Sequence, residues 1–283
     1  MPDSSLRAEA LGAHLPPLVV EAERVAATVM QGVHGRRRSG TGDSFWQFRP
    51  YLAGDAASRV DWRQSAKADR LYVRETEWEA AQTIVLWRDG SARMDWRSHL
   101  ATVTKRQRAS LLLLALAALL LRGGERVRLL PGPARSFHGR GALPALAAAL
   151  DNQDDGPGDA DGLPRHARLV LISDFWAPLE ETRALAAGFA ARPMPGQLLQ
   201  VTDPAEESLP YAGRRRFEGL MGEMPALLPR VEAVRDLYAE RLALHRYALG
   251  DLAGGLGWGF ATHRTDHRPE TALLALWQAL APA

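Results

Sequence analysis

Two apolar runs of this chain each lead into an aspartate, and paired carboxylates of this kind are typical of a divalent-metal site. Residues 83–87 are followed by Asp89, Ser91 and Arg93 in the spacing Asp-x-Ser-x-Arg, and the second run leads into Asp174. Hard cations such as Mg²⁺ and Mn²⁺ prefer the oxygen ligands that aspartate and serine supply. The pattern therefore indicates a candidate Mg²⁺ or Mn²⁺ site where the two aspartates meet.

Both aspartates follow strands that the hydrophobic pattern predicts. Residues 83–87 and 167–173 have the length and composition of buried strands, and a long helix is predicted over 98–122. Because ligands bind at the carboxyl ends of strands in open α/β sheets, we expect Asp89 and Asp174 to converge there. Further strands are predicted at 197–202 and 257–261, a hairpin at 126–138, and helices at 143–150, 178–191, 228–249 and 269–280. This alternation predicts an α/β fold, a mostly parallel sheet with helices on both faces.

Composition limits the classes of protein to which the chain can belong. Its 283 residues suffice for one large α/β domain with an N-terminal extension. The absence of cysteine excludes disulfides, thiolate nucleophiles and cysteine-ligated metal clusters. The apolar run 109–121 is shorter than the roughly 20 residues that cross a bilayer, so we expect no membrane span. No secretory pattern is visible, and we expect a cytoplasmic protein.

The basic residues of the chain leave nucleic-acid binding as an alternative that rests on charge alone. The formal net charge is only +2, and the two arginine clusters, 36–38 and 214–216, are the features that favour it. Arginine replaces lysine almost throughout, since Lys67 and Lys105 are the two lysines. Such a bias more often reflects genome composition than a nucleic-acid surface, and we predict no nucleic-acid partner.

A segment rich in aromatic, arginine and carboxylate side chains, from Phe48 to Glu75, stands before the first predicted strand. No amphipathic period fits it, and we expect short extended pieces and loops. The chain is therefore divided into an N-terminal helical appendage (1–38), a small signature subdomain (39–81) and an α/β domain (82–283). The residues of the segment that we single out are Arg49, Tyr51, Asp55, Arg59, Asp61, Trp62 and Tyr72.

Two roles are open for these signature residues. Aromatic side chains and paired charges at this density can hold irregular backbone in place, which is a structural role. Aromatic and arginine residues also dominate the energetics of protein–protein interfaces, which favours a partner surface. Both roles can hold at once.

The chain resembles a bacterial family, the domain of unknown function 58 family, whose members are similar to von Willebrand factor A domains. The segment from Arg49 to Glu75 carries most of this resemblance, together with the loop after it. The spacing Asp-x-Ser-x-Arg in that loop is close to Asp-x-Ser-x-Ser, the metal-binding loop of von Willebrand factor A domains. Weaker matches are residues 201–206, Tyr238 with His245, and Thr265-Asp266 with Pro269. The resemblance covers nearly the whole chain and implies a von Willebrand factor A-like fold.

The resemblance also implies a function. The family is associated with MoxR-type AAA+ ATPases in complexes thought to remodel or mature other proteins, and no catalytic activity is established for it. The chain is therefore expected to be a non-enzymatic interaction protein, an adaptor between such an ATPase and a client protein that the sequence does not name.

Carried over to this sequence, the family's metal site would use Asp89, Ser91 and Asp174. Position 93 departs from the pattern, because Arg93 stands where a serine is expected, and the expected threonine has no counterpart near Gly141. A guanidinium is permanently charged and pairs well with carboxylates, so we expect Arg93 to lie between the two aspartates in place of a cation. The site is thus predicted to be degenerate and free of metal.

Other readings of these residues are also open. The chain could be a divalent-metal hydrolase using Asp89 and Asp174, although Arg93 and the lack of a visible general base argue against it. The two aspartates could instead simply cap turns and helices. His263 and His267 have a metal-like spacing but lack the glutamate of a zinc-protease helix, and no phosphate-binding loop is visible. We predict neither zinc binding nor intrinsic ATPase activity.

Overall fold

The computed structural model describes residues 17–33, 45–51, 60–67, 70–76, 81–131, 135–152, 156–158, 162–164, 166–190, 192 and 194–280. The chain forms two compact units, one made of residues 1–33 and 82–283 and the other of residues 34–81. In chain order the elements are α1 (Pro17–Val33), β1 (Phe45–Pro50), α2 (Trp62–Ser65), β2 (Tyr72–Thr76), β3 (Thr83–Arg88), α3 (Lys105–Arg122), β4 (Arg126–Leu129), α4 (Leu143–Asp151), β5 (Arg168–Ser173), α5 (Leu179–Ala190), β6 (Gly196–Thr202), α6 (Pro204–Ser208), β7 (Arg215–Phe217), β8 (Ala226–Leu228), α7 (Arg235–Gly255), β9 (Gly259–Arg264) and α8 (Pro269–Ala279).

The larger unit is built on a five-stranded sheet in the order β4-β3-β5-β6-β9, and each neighbouring pair is parallel. Helices cover both faces of this sheet. Side chains alternate across a strand, and Ile84 and Leu86 of β3 accordingly join one hydrophobic cluster while Val85 and Trp87 join the other. The predicted α/β fold with a mostly parallel sheet is confirmed, and it has the Rossmann-like arrangement in which β-strands alternate with helices.

Helices α1, α3, α4 and α8 contribute to the cluster on one face, and α5 and α7 to the cluster on the other. Helix α3 is the centre of the first cluster, because it is buried continuously from Ala109 to Leu121. A capping box defines where it begins: Thr104 accepts a hydrogen bond from the Gln107 N–H, and the Gln107 side chain accepts one from the Thr104 N–H.

Helix α1 packs inside the larger unit, although the sequence-based division set residues 1–38 apart as an appendage. Its apolar side chains lie in the same cluster as those of α3 and α8. The buried residues of α1 are Val19, Ala22, Val25, Ala26 and Val29. Their helical spacing forms one continuous face, which explains how a short amphipathic helix docks there.

Several predicted boundaries differ from the structure. The predicted helix over 228–249 begins only at Arg235 and extends to Gly255, because residues 226–228 form strand β8 of a hairpin with β7 that the sequence did not reveal. The predicted hairpin over 126–138 is reduced to β4 and one antiparallel bridge between Val127 and Phe137. None of the helices in the part of the chain that the structure describes has both the length and the apolar character needed to cross a bilayer.

The smaller unit contains an antiparallel pair, β1 and β2. Between these strands, Asp61 caps the single-turn helix α2 by accepting a hydrogen bond from the Gln64 N–H at 2.9 Å. The Ser65 hydroxyl donates to the Asp61 carbonyl oxygen at 2.7 Å and accepts from the Tyr72 N–H at 2.8 Å. These contacts tie α2 to the first residue of β2.

Candidate functional site

The structure places Asp89 and Asp174 directly after neighbouring parallel strands, β3 and β5, at the carboxyl edge of the sheet. Asp89 is buried, and both of its carboxylate oxygens accept hydrogen bonds from within the chain. Oδ1 accepts from the Ser91 N–H at 2.8 Å, and Oδ2 accepts from the Ser173 hydroxyl at 2.6 Å. Asp89 therefore closes the turn after β3 and joins it to the end of β5.

Asp174 is fully buried and pairs with a lysine. The Lys105 ammonium, from the first residue of α3, donates to Asp174 Oδ2 at 2.8 Å, and the lysine side chain is only 2% exposed. The other oxygen of Asp174, Oδ1, accepts from the Trp176 N–H at 3.1 Å. The positive charge beside Asp174 thus belongs to Lys105.

Arg93 was expected in that position, but the structure places it at the edge of the site. Its Nε lies 3.8 Å from Asp174 Oδ1, which is beyond hydrogen-bonding distance, and no hydrogen-bond partner for this nitrogen is found among the described residues. Sequence reasoning missed Lys105, although it is one of only two lysines in an arginine-rich chain. Its partner lies 69 positions away along the chain, so no local pattern could reveal the pairing.

The Lys105 ammonium also donates to Glu206 Oε1 at 2.6 Å. Glu206 is held by a capping box in α6, because its Oε2 accepts from the Asp203 N–H at 2.8 Å. Burial raises the pKa of Glu206, and the nearby Lys105 charge opposes that rise. Asp203 in turn accepts from the Ser98 N–H at 2.8 Å. Lys105 therefore links the ends of β5 and β6, two neighbouring strands of the sheet.

Glu207, Arg246 and Gln200 form a second set of hydrogen-bonded side chains beside the Lys105 contacts. Burial raises the pKa of Glu207, but hydrogen bonds from Arg246 and Thr202 outweigh this effect and leave that pKa lowered. Arg246 also donates to Gln200 Oε1 at 3.0 Å, and Gln200 donates to the Asp174 carbonyl oxygen at 2.9 Å. Helix α7, which carries Arg246, is thereby connected to the loop that holds Asp174.

The donor set does not fit a divalent cation while Lys105 is present. The lysine ammonium lies against Asp174 and Glu206, and Asp89 is engaged by two donors. Within the described ranges, no group of three or more histidine, cysteine, aspartate or glutamate side chains is arranged to hold a metal. The Ser91 hydroxyl oxygen is buried and has no hydrogen-bond partner among the described residues. One free hydroxyl is too little to bind a hard cation that requires several oxygen ligands.

The surface beside this network is apolar. Trp176 follows Asp174 and stacks on His245 of α7, with ring centroids 5.6 Å apart. A groove of about 510 Å³ lies there, lined by Trp176, Tyr238, Arg241, Leu242, Leu244 and His245. Burial raises the pKa of Tyr238 to about 12, and its hydroxyl donates to the Glu206 carbonyl oxygen. Phe175, between Asp174 and Trp176, has a φ of 49°, a conformation uncommon for a residue other than glycine.

Exposed apolar side chains form two groups near the carboxyl end of the chain. The β7–β8 hairpin exposes Leu220, Met221, Met224 and Leu227, and α7 exposes Leu237, Leu244 and Tyr247. Met224 is 91% exposed and Tyr247 75%. Exposed apolar side chains that form a contiguous patch often mark a protein-binding surface, and these residues are the candidates for one.

The signature residues are distributed over the smaller unit. Asp55 and Arg59 lie outside the described residues. Arg49 pairs with Val73 in the β1–β2 ladder, and Tyr51 donates its N–H to the Leu71 carbonyl oxygen at 2.8 Å. Asp61 and Tyr72 take part in the hydrogen bonds around α2, whereas Trp62 is 66% exposed.

Comparison with known proteins assigns the chain to a family. Uncharacterized proteins of Mycobacterium bovis and Mycobacterium tuberculosis are 27% identical over 289 residues, covering 94% of this chain and 89% of each relative. Among solved structures, the chain is similar to the conserved hypothetical protein BatB from Bacteroides thetaiotaomicron (14% identity, TM-score 0.37, 71% of this chain and 97% of that chain). It is also similar to an aerotolerance-related membrane protein from Bacteroides fragilis (15% identity, TM-score 0.36, 70% of this chain and 98% of that chain). Structural likeness at this level carries no functional inference. The family model described as "Protein of unknown function DUF58" matches residues 47–248, most of the sequence, and the chain belongs to that family.

Proposed function

We propose that this chain is a non-enzymatic interaction protein that works with a MoxR-type AAA+ ATPase in remodelling or maturing client proteins. The observation that carries the proposal is the set of exposed apolar side chains on the β7–β8 hairpin and on α7. Leaving side chains such as Met224 in water forgoes the roughly 25 cal/mol per Å² that burial supplies, and a protein partner recovers this energy on binding.

The carboxyl edge of the sheet supports a binding role over a catalytic one. Ligands approach this edge in open α/β folds, but here Lys105 neutralises charge on Asp174 and Glu206 from within the chain. The edge is thus internally hydrogen-bonded, which favours a surface for a partner over a catalytic site. We further propose that the fold is related to von Willebrand factor A domains, with Lys105 standing where such domains bind a cation.

The alternative of a divalent-metal hydrolase has less support. Asp89 and Asp174 would have to exchange their present donors, Ser173 and Lys105, for a metal ion. Each exchange would leave a buried donor, the Lys105 ammonium or the Ser173 hydroxyl, without its acceptor. A buried polar group without a partner costs about 1 to 3 kcal/mol, and more when it is charged.

The proposal places the complex in the cytoplasm, where ATP is available to the ATPase. The ATPase would supply the energy, and this chain would couple it to a client. Arginine clusters such as 214–216 are assigned no nucleic-acid role in this proposal.

Co-purification with a MoxR-type ATPase from the same organism tests the proposal, in the absence of nucleotide and with ADP or a non-hydrolysable ATP analogue. We expect association that is lost in a Met224→Asp/Leu244→Asp variant, because buried carboxylates oppose docking of an apolar surface. Val20→Asp is the matched control, since Val20 is 45% exposed on α1, which covers the opposite face of the sheet. Asp55→Ala and Arg59→Ala test in the same assay whether the signature segment contacts the ATPase. Failure to associate in every nucleotide condition would contradict the proposal.

A further inference from the structure

Strand β9 forms one edge of the five-stranded sheet. It pairs with β6 on one side, and among the residues that the structure describes no strand pairs with its other side. At the opposite edge, by contrast, β4 is bridged by Phe137, which exchanges two backbone hydrogen bonds with Val127 at 2.9 and 2.7 Å. An unpaired edge strand is a template for a further strand.

The direction of the free backbone groups on β9 follows from the ladder. The Thr265 N–H donates to the Thr202 carbonyl oxygen at 2.9 Å, directly after the last paired residues of β9 and β6. In a parallel ladder, alternate residues direct their backbone groups to the same neighbour. The N–H and C=O groups of Phe260 and Thr262 therefore point toward the open side.

A groove of about 460 Å³ runs between β9 and α8. Its lining residues are Leu199, Ala261, Thr262, His263, Asp266, His267, Arg268, Thr271, Ala272 and Ala275. The small and apolar members, such as Ala261 and Ala272, leave room for a side chain. The polar members gather at one end, where α8 begins.

That end of the groove offers donors to an anion. Helix α8 starts without a side-chain cap at Arg268, so no side chain of the described residues caps the first N–H groups after Pro269, and the positive end of the helix dipole lies there. Asp266 also lines this end, but its carboxylate pairs with Arg264 at 2.7 and 2.9 Å. The acidic residue in the first turn, Glu270, does not line the groove and interacts electrostatically with Arg108.

A second observation at the same place is the side chain of His263, which lines the groove. The side chain is only 5% exposed, and its Nε2 has no hydrogen-bond partner among the described residues. Burial and the nearby Arg108 charge lower the pKa of His263 to about 4, so the ring is neutral near pH 7. A buried imidazole nitrogen without a partner is costly, and a ligand that reaches it removes that cost.

We propose that the groove between β9 and α8 binds an extended peptide of a partner protein, which adds to β9 as a sixth strand and places a carboxylate at the start of α8. The peptide's backbone would pair with the free groups of Phe260 and Thr262. Its carboxylate would accept from the α8 N–H groups, from His263 Nε2 in the tautomer that carries the ring proton there, and from His267 or Arg268. Addition of a strand to an open sheet edge is an established mode of peptide recognition. The proposal goes beyond the association with an ATPase, because the chain alone can be tested for it.

The experiment uses fluorescein-labelled peptides of about six residues, the length of β9, built from alternating threonine and valine. One peptide ends in a free carboxylate, a second carries an internal glutamate and an amidated end, and a third has glutamine in place of that glutamate. We expect saturable binding by fluorescence anisotropy for at least one carboxylate peptide, and about tenfold weaker binding for the glutamine peptide. Comparison of the first two distinguishes a terminal carboxylate from a side-chain carboxylate.

Thr262→Pro and Thr262→Val form the matched pair of variants. Proline removes the outward N–H at position 262 without removing a hydrogen bond to β6, whereas valine keeps that N–H. We expect the proline variant to lose peptide binding and the valine variant to retain it, with thermal melting as the check that both fold. If the proline variant does not fold, a His267→Ala/Arg268→Ala variant is used, and it should reduce the preference for glutamate over glutamine, because only the α8 N–H groups and His263 then remain to bind the carboxylate.

Two results would overturn the proposal. The first is binding that is unaffected by Thr262→Pro in a folded protein, or a preference for glutamate that is as large in His267→Ala/Arg268→Ala as in the native protein. The second is no saturable binding of any of the three peptides, which is the result expected if another part of the chain already covers this edge. Neither result bears on co-purification with the ATPase, so the two proposals fail separately.

Discussion

The ammonium of Lys105 lies 2.8 Å from Asp174 Oδ2 and 2.6 Å from Glu206 Oε1, and the lysine side chain is 2% exposed. A charge from within the chain thus occupies the place at the carboxyl edge where this kind of sheet commonly binds a ligand. Removing a charge from water costs several kcal/mol, and only close pairing offsets that cost. The contact therefore stabilises the ends of β5 and β6 only while all three groups are present.

Replacing Lys105 with methionine should destabilise the protein by about 3 to 5 kcal/mol, because the buried Asp174 and Glu206 would lose the cation that is hydrogen-bonded to both of them. The measurement is the free energy of unfolding from urea denaturation. Lys67→Met is the control variant. Because Lys67, the other lysine, is exposed, this substitution should change the free energy of unfolding by less than about 0.5 kcal/mol. Adding Glu206→Gln to Lys105→Met should recover part of the loss. A loss below about 1 kcal/mol in Lys105→Met would show that the pair is not a stabilising centre.

Calorimetric titration of the native protein with Mg²⁺ or Mn²⁺ should show no micromolar binding. The reason is electrostatic. The Lys105 ammonium already lies 2.8 Å from Asp174 Oδ2, and a divalent cation bound to Asp174 would be repelled by it. Asp89→Ala serves as the comparison. Micromolar binding by the native protein that disappears in Asp89→Ala would contradict the prediction of a degenerate site.

His263 should make stability depend on pH below neutrality. Burial and Arg108 lower its pKa from 6.5 to about 4 in the folded protein. As the pH falls below 6.5 the unfolded chain takes up a proton that the folded chain does not, so stability should decrease between pH 6.5 and 4, by at most about 3 kcal/mol. Urea denaturation across this range measures the effect. His263→Phe should flatten the curve, and an unchanged slope in that variant would assign the pH dependence to other groups.

Asp61→Ala should loosen the smaller unit, since it removes the acceptor for the Gln64 N–H at the start of α2. A lost helix cap costs about 1 kcal/mol. Hydrogen exchange of the Gln64 and Tyr72 amides should accelerate accordingly. Asp61→Asn keeps a side-chain acceptor and should stay close to the native rates. Equal protection in both variants would mean that this signature residue has another role.

The hydrophobic pattern of the sequence was sufficient to predict the two neighbouring strands that lead into Asp89 and Asp174. The sequence predicts strands at residues 83–87 and 167–173 because apolar runs of that length are buried in parallel sheets, and they correspond to β3 and β5. Boundaries failed where a local interaction outweighed the pattern. Helix α3 begins at Lys105 instead of position 98 because Thr104 caps it, and the β7–β8 hairpin has strands of three residues, too short to show a period.

The sequence by itself determined that aspartates follow β3 and β5, because that depends only on the order of residues along each strand. It also led to the expectation that Arg93, four residues after Asp89, would supply the positive charge. The tertiary structure decided otherwise: the packing of α3 against the sheet brings Lys105 to Asp174, 69 positions away, and to Glu206, 101 positions away. A buried ion pair depends on which side chains reach the same small volume at about 3 Å, and that is set by helix packing across the sheet, not by spacing in the chain.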